Sequence, residues 1–287
     1  MKLLSPPLQA FLAIAQEKTV HAAANKLHIT QTAVTQRIKS LENRLSTSLF
    51  VRTRRGMILT SEGETLLRYC YSFQALEGEA LTCIAMTGLE KNVSICMTGP
   101  STIMRARIIP RCVTVMKAFP RLLMSFNIDD NETRASSLRR GESQIAIIEQ
   151  AFISDEMEYK KLEPEHYVLV VSSAWKKRKL KEIIKQEKII DFNMHDHMTF
   201  NYLKKYNLFD HANKERHFTN RTDTLALLIA EEMGYGVLPY EFAKPYLINK
   251  QLALLNGEKT YPYFLVAAWF PRDPQSAYFS ALIDACF

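Results

Sequence analysis

The chain has 287 residues, 47% hydrophobic and 23% charged, a globular composition that excludes a disordered chain and a length that excludes one small module. Its longest apolar run, Phe264 to Phe270, is far below the roughly 20 residues that a membrane helix needs, and the first residues lack the apolar core of a secretion signal. A soluble, cytoplasmic protein without a membrane partner is expected. The net charge of +7 is concentrated: residues 1–60 hold nine Lys or Arg against Glu17 and Glu42, while the remainder is balanced. Such a cluster suits a partner of dense negative charge, with nucleic acid ahead of an anionic membrane surface. Five cysteines, scattered and without CxxC spacing, fit reduced thiols better than a disulfide framework.

Ser5-Pro6-Pro7 reads as a helix start, followed by Leu8, Phe11, Leu12 and Ala15 at helical spacing. Thr19 is placed to cap a second short helix of small residues, Ala22, Ala23 and Ala24, and His28-Ile29 makes a turn. Thr30 is placed to cap a third helix with Ala33, Val34, Ile38, Leu41 and Leu45 inward. Its outward face carries Gln31, Thr32, Thr35, Gln36, Lys39 and Asn43 and no acid. Amides, hydroxyls and a base on the second of two short helices suit base reading in a major groove, although a solvated bundle face would look the same. Two short strands, Leu49 to Val51 and Met57 to Leu59, then flank a basic turn with Arg52, Arg54 and Arg55, which suits a wing along a nucleic-acid backbone.

The run AAANKLHITQTAVTQRIKSLENRLSTSLFVRTRRGMILTSEG at 22–63 resembles the winged helix-turn-helix of LysR-type transcriptional regulators without a gap. Thr32 stands where many members carry proline or serine, and Ser46 where glycine is frequent. The resemblance implies contacts with double-stranded DNA at Gln31, Thr32, Thr35, Gln36, Arg37, Arg52 and Arg54, and Thr30 at the helix start joins them. Charge alone adds Lys39 and Arg55 as phosphate contacts.

Thr60 followed by Glu62 and Glu64 marks the start of a long helix. Its apolar positions Leu66, Tyr69, Phe73, Leu76, Ala80 and Cys83 form a heptad-like seam, which would pack on its own domain or on a second copy. The family dimerises through this helix, and a dimer would match an operator with two half-sites. Tetramerisation and contact with RNA polymerase are implied only by the resemblance.

After a hinge at Gly88 to Asn92 the pattern alternates between strands and helices. Strands are expected at 93–97, 122–128 (with Met124, Phe126 and Ile128 on one face) and 145–148, with helices at 103–118 and 134–140. A second set has a strand at 167–171, helices at 176–188 and 222–233, and a turn from Gly234 into a short strand. The expected fold class is an α+β multidomain chain: a winged helix-turn-helix at 1–60, a linker helix at 61–88 and a two-lobed α/β effector domain at 89–287. The resemblance implies that this last unit is similar to periplasmic binding proteins, with lobe 1 at 89–162 and 266–287 and lobe 2 at 163–265.

DDNETRASSLRRGE at 129–142 and ITQTAVTQRIKSLEN at 29–43 are most similar to the arginine- and lysine-responsive subgroup, also described as chromosome initiation inhibitors. A small-molecule effector is expected at helix starts beside the strand ends, at Thr98, Ser101 and Thr102 and at Asn220 and Thr222. Ser101 or Thr102 serving only as a helix cap is the plainer alternative. A basic amino acid would need a carboxylate, for which Asp130 is the choice.

The chain has no GxGxxG, GxxxxGK[ST], GxSxG or HExxH motif and only nine glycines, so no enzyme and no cofactor is expected. His195-Asp196-His197 lacks a firm third metal ligand and reads better as a polar turn. A DNA-binding protein of architectural or replication-initiation control, without an effector, stays open as the alternative.

Overall fold

The computed structural model describes residues 4–54, 56–84, 92–129, 131–272 and 275–287, with the backbone alone for 75–84 and 131. The Pro6-Pro7 pair, whose φ is already helical, opens α1 (Pro6–Glu17), but Ser5 forms no side-chain cap. The two threonine caps form as expected. Thr19 Oγ1 accepts from Ala22 N at 3.1 Å and starts α2 (Val20–Leu27); Thr30 Oγ1 accepts from Ala33 N at 3.1 Å and starts α3 (Gln31–Leu45).

Each of the three helices ends on a left-handed residue other than glycine: Lys18, His28 and Ser46. At the end of α3, Ser46 N donates to Asn43 O and Thr47 N to Glu42 O, the paired bonds that close a helix C-terminus. The chain turns away there, and this leaves Leu45, expected inward, 47% exposed. Phe11, Ile14, Ala23, Val34, Ile38 and Leu49 form the core of this unit, and the rings of Phe11 and Phe50 lie 5.3 Å apart.

The hairpin of β1 (Phe50–Thr53) and β2 (Gly56–Leu59) is antiparallel. It docks on the end of α1, where Met57 N donates to Lys18 O at 2.8 Å. A Cβ on Gly56 would lie 2.5 Å from that same carbonyl, and its φ of +117° is one that side chains rarely adopt, so the sequence needs glycine at this point. Thr60 caps α4 (Ser61–Ile84) by accepting from Gly63 N at 3.0 Å while donating to Ser48 O at 2.8 Å. The seam on α4 divides. Leu66, with Leu67 and Cys70, packs on the three-helix core, whereas Tyr69 and Phe73 are exposed. The side chains of Leu76, Ala80 and Cys83 lie outside the described residues.

From Val93 the chain builds a five-stranded sheet. β3 (Val93–Gly99) leads into α5 (Ser101–Ile103), a π turn at Met104–Ile108 and α6 (Ile109–Ala118). One continuous helix was expected over 103–118. Pro110 explains the widened turn: it has no N–H for the carbonyl four residues back and its ring crowds that carbonyl, and the neighbouring Ile109 N–H bonds to Met104 O instead. Then come β4 (Leu122–Ile128), α7 (Asn131–Arg139), β5 (Ile145–Ile148) and β6 (Glu158–Lys161). On β4, Met124 and Phe126 pack on the core but Ile128 is exposed, because it lies at the end of an edge strand.

The second sheet is organised around β7 (Glu165–Ser172). Leu169 and Val171 enter one core and Val168 and Val170 another, so the strand is apolar on both faces and lacks alternation. It is followed by α8 (Leu180–Gln186), β8 (Ile189–Asp191), α9 (Met198–Lys205), β9 (Arg216–Phe218), α10 (Thr222–Ala230), β10 (Gly236–Pro239), α11 (Tyr240–Ile248), β11 (Leu252–Leu254) and β12 (Thr260–Tyr263). β10, β11 and β12 all pair antiparallel with β7.

Two helices are shorter than expected. α8 starts only at Leu180 because Trp175 is buried in a preceding turn and donates to Glu232 Oε2 at 2.6 Å. α10 stops at Ala230, after which Glu232 takes a left-handed conformation that returns the chain to the sheet. β13 (Val266–Trp269) rejoins the first sheet between β5 and β6, and α12 (Ala277–Asp284) packs in its core.

Ser46 pays the steric cost of a left-handed residue bearing a Cβ. Ser46→Gly is expected to stabilise the protein by about 0.5–1 kcal/mol, measured by urea denaturation.

Candidate nucleic-acid interface and effector site

On α3 the side chains of Gln31, Thr32, Thr35, Gln36 and Lys39 are exposed and Arg37 is half-buried. Thr30 is exposed, with its hydroxyl oxygen engaged in the helix cap. Thr35 Oγ1 donates to Gln31 O at 2.9 Å, so its methyl group and the accepting side of its oxygen are left to face a ligand. Arg52 and Arg54 are exposed on the hairpin; Arg55 lies outside the described residues.

Both acids of this unit are held within the fold. Glu17 pairs with Lys26 at 2.7 Å, and Glu42 Oε1 accepts from Leu49 N at 2.8 Å. The basic and amide-bearing face therefore carries no carboxylate that would repel phosphate, which is the electrostatic requirement for docking on a polyanion.

The reading unit touches the first α/β lobe through α4. The Arg68 guanidinium donates to Glu156 Oε2 at 2.8 Å and lies 3.7 Å from the Phe270 ring centre. Gly141, beyond the end of α7, sits against the Arg68 backbone, where a Cβ would come within 3.0 Å of the Arg68 Cα. The Arg68 side chain is 11% exposed, so its interactions are less screened by water than an ordinary surface pair.

At the crossing between the lobes, Leu162 N donates to Leu265 O at 3.0 Å, and Glu165 lies opposite Tyr263 in the register of β7 and β12. Glu165 is buried, and its Oε2 has no hydrogen-bond partner. Burial pushes its carboxyl above the usual carboxylate range, against hydrogen bonds from Thr102 and Tyr167 and the charge of Arg107, which pull it down. Arg107 is itself tied to the crossing strand, donating to Glu163 O at 2.8 Å. The Tyr167 and Tyr263 rings meet edge to face at 5.8 Å, and Tyr263 donates to Glu149 Oε1 at 2.6 Å.

Of the expected effector residues, Thr98 is fully buried with an unpartnered Oγ1 and Thr102 is beside Glu165. Ser101 is exposed; Pro100 takes the cap position of α5 and neither Ser101 nor Thr102 caps it. Asn220 is exposed and Thr222 half-buried at the start of α10, whose cap position is Arg221 without a side-chain bond. Asp130 lies outside the described residues. Sequence reasoning missed Glu165, yet it is in phase with Tyr167, Leu169 and Val171, and an acid on the apolar phase of a strand was the available signal.

The His195-Asp196-His197 segment is a turn held by Asp196, which accepts from Phe192 N at 3.1 Å and Met198 N at 2.8 Å. Among the described residues no cluster of His, Cys, Asp and Glu is placed to hold a metal ion, and no helix is long and apolar enough to cross a membrane.

Residues 7–64 match the model of the bacterial regulatory helix-turn-helix protein, lysR family, and residues 90–287 match the LysR substrate binding domain. Among curated proteins, the chain is 30% identical over 159 residues to the HTH-type transcriptional regulator YofA of Bacillus velezensis, covering 55% of this chain and 53% of that one. It is 28% identical over 190 residues to a probable RuBisCO transcriptional regulator of Thalassiosira pseudonana, covering 63% and 60%. The matches thus span little more than half the length of these relatives. Among solved structures, ArgP from Mycobacterium tuberculosis superposes with a TM-score of 0.80 at 23% identity, covering 99% of this chain and 96% of that one. LysG from Corynebacterium glutamicum with bound effector Arg superposes with a TM-score of 0.74 at 19% identity, covering 99% and 98%. Those likenesses extend the shared fold over nearly the whole length. With the two family models matching residues 7–64 and 90–287, the chain belongs to the LysR family of bacterial transcriptional regulators.

Proposed function

We propose that the protein is a DNA-binding transcriptional regulator whose operator binding is modulated by a small cationic effector, an amino acid of the arginine or lysine class. The observation that carries the first half is the acid-free face of α3 beside the arginines of the hairpin, with both local acids engaged elsewhere. Gln31, Thr32 and Gln36 would read base edges and Arg52 and Arg54 would hold the backbone. Exposed Tyr69 and Phe73 on α4 offer the start of a self-association seam that would bring two reading heads to two half-sites. A soluble cytoplasmic setting fits that role.

The second half rests on Glu165, a buried carboxyl at the lobe crossing with one oxygen unpartnered. An incoming guanidinium or ammonium group would supply the missing donor and an opposite charge that favours the ionised carboxyl. The LysG neighbour holds arginine as its effector, which agrees with this chemistry. Effector binding would favour one arrangement of the lobes, and Arg68 supplies a contact through which lobe 1 reaches α4.

Three outcomes test this. In anisotropy titrations of labelled duplex, Gln31→Ala should relax base preference, while Arg54→Ala should weaken all duplexes alike and lower the salt slope by about one. Glu165→Gln should leave the melting temperature at pH 7 unchanged or higher, because the raised folded-state carboxyl is a cost at every pH above its unfolded value. That advantage should fade as the pH falls below the ordinary carboxylate range, and the melting shift produced by free arginine should be lost. Arg68→Ala should leave the arginine-induced melting shift and basal DNA affinity in place while reducing the effect of arginine on DNA affinity; an undiminished effect removes Arg68 from the coupling.

A further inference from the structure

The reading helix carries a partner that no motif announced. Gln31, the first residue of α3, has its Nε2 3.1 Å from Nδ1 of His21, in the first turn of α2. The other ring nitrogen of His21, Nε2, lies 3.3 Å from Nδ2 of Asn25, one turn further along α2. All three side chains are exposed on the face where the two helices begin and turn. A neutral imidazole has one acceptor and one donor nitrogen. With Nδ1 accepting from Gln31, the ring proton is on Nε2, and Asn25 Nδ2, itself a donor, makes no hydrogen bond with it. His21 holds Gln31 through Nδ1 alone.

We propose that His21 is a specificity-determining positioning residue that fixes the orientation of the Gln31 amide and thereby its preference for adenine. An unrestrained glutamine can offer a base either its carbonyl or its amino group. Adenine presents an acceptor at N7 and a donor at N6 in the major groove, whereas guanine presents two acceptors. When Nε2 gives His21 the hydrogen that points away from its own carbonyl, the amide retains one hydrogen and the carbonyl side by side, the pair that adenine requires. A glutamine free to turn would satisfy part of the guanine pattern as well. In water the exposed contact contributes little to folding. Docking on DNA excludes water from it, so its effect is felt in the complex. The adjacent Lys26 takes no part, because its ammonium group is engaged by Gln16 and Glu17 at 2.9 and 2.7 Å.

This inference rests on Gln31 reading a base, and the experiment separates the two. The full-length protein and its variants select duplexes in parallel from a random pool, and bound sequences give a base-preference profile for each. The wild type should show a preferred adenine in each half-site that Gln31→Ala flattens by about tenfold or more, the worth of a lost bidentate contact. His21→Phe, which keeps bulk and removes the bond, should lower adenine-over-guanine preference at that same position by about 3- to 10-fold, the cost of one unheld side chain. The other positions and the melting temperature should not change. His21→Gln, which restores an acceptor, should recover most of the preference, and adding His21→Phe to Gln31→Ala should cost nothing further.

An unchanged adenine preference in His21→Phe overturns the proposal. So does a uniform loss across all positions with a lower salt slope, which would make His21 a phosphate contact. If Gln31→Ala alters no position, the assignment of Gln31 as a base reader fails, and the role of His21 fails with it.

Discussion

Arg68 is where the two halves of this molecule meet, and the functional reading depends on that contact. Its guanidinium lies between the Phe270 ring and the Glu156 carboxylate while Gly141 closes on its backbone. The Arg68 side chain is mostly out of water although Glu156 is exposed, and packing of the guanidinium on the ring holds it better than an exposed ion pair alone would. Phe270 directly follows β13, the strand that closes the first sheet, and Glu156 lies on the segment leading to β6. Both strands border the lobe crossing. A rearrangement of lobe 1 therefore has a direct route to α4, which packs through Leu66, Leu67 and Cys70 on the helices of the reading head.

The reading head itself is assembled by hydrogen bonds that remove distractions from its surface. Threonine caps satisfy the helix starts, Glu42 closes the loop before the hairpin, and Glu17 neutralises Lys26. What remains outward is a set of amides, methyls and bases. Net charge alone would attract any polyanion; the uncharged groups on α3 make discrimination among duplexes possible.

At the lobe crossing the balance of forces runs the other way. Glu165 is buried in a place that disfavours its charge, with one oxygen left unpartnered. Proteins tolerate such a group at a cost, and groups of this kind are concentrated at functional sites. Thr102 and Tyr167 hydrogen-bond to the carboxyl, and the charge of Arg107, which is anchored to the crossing strand, lies near it.

The sequence alone determined where three helices of the first 84 residues begin: Thr19, Thr30 and Thr60 cap the helices that their spacing implied. These features were legible because a cap or a turn involves residues only a few positions apart, whose chemistry is visible in one window. Three strands of the first sheet, β3, β4 and β5, were legible from their apolar runs, whereas β6, exposed along its length, carried no such signal. Tertiary structure decided the rest. Leu45 and Ile128 fit their apolar patterns but end up exposed, because the chain leaves the core at those points. Trp175 delays α8 through a bond to Glu232, and the seam on α4 is divided between its own domain and open surface. Glu165, Arg68 and His21 meet partners that sequence spacing does not reveal, some of them far along the chain. Periodicity reports which face of an element is apolar, but only the folded chain brings a charge or an imidazole to the group that gives it a function.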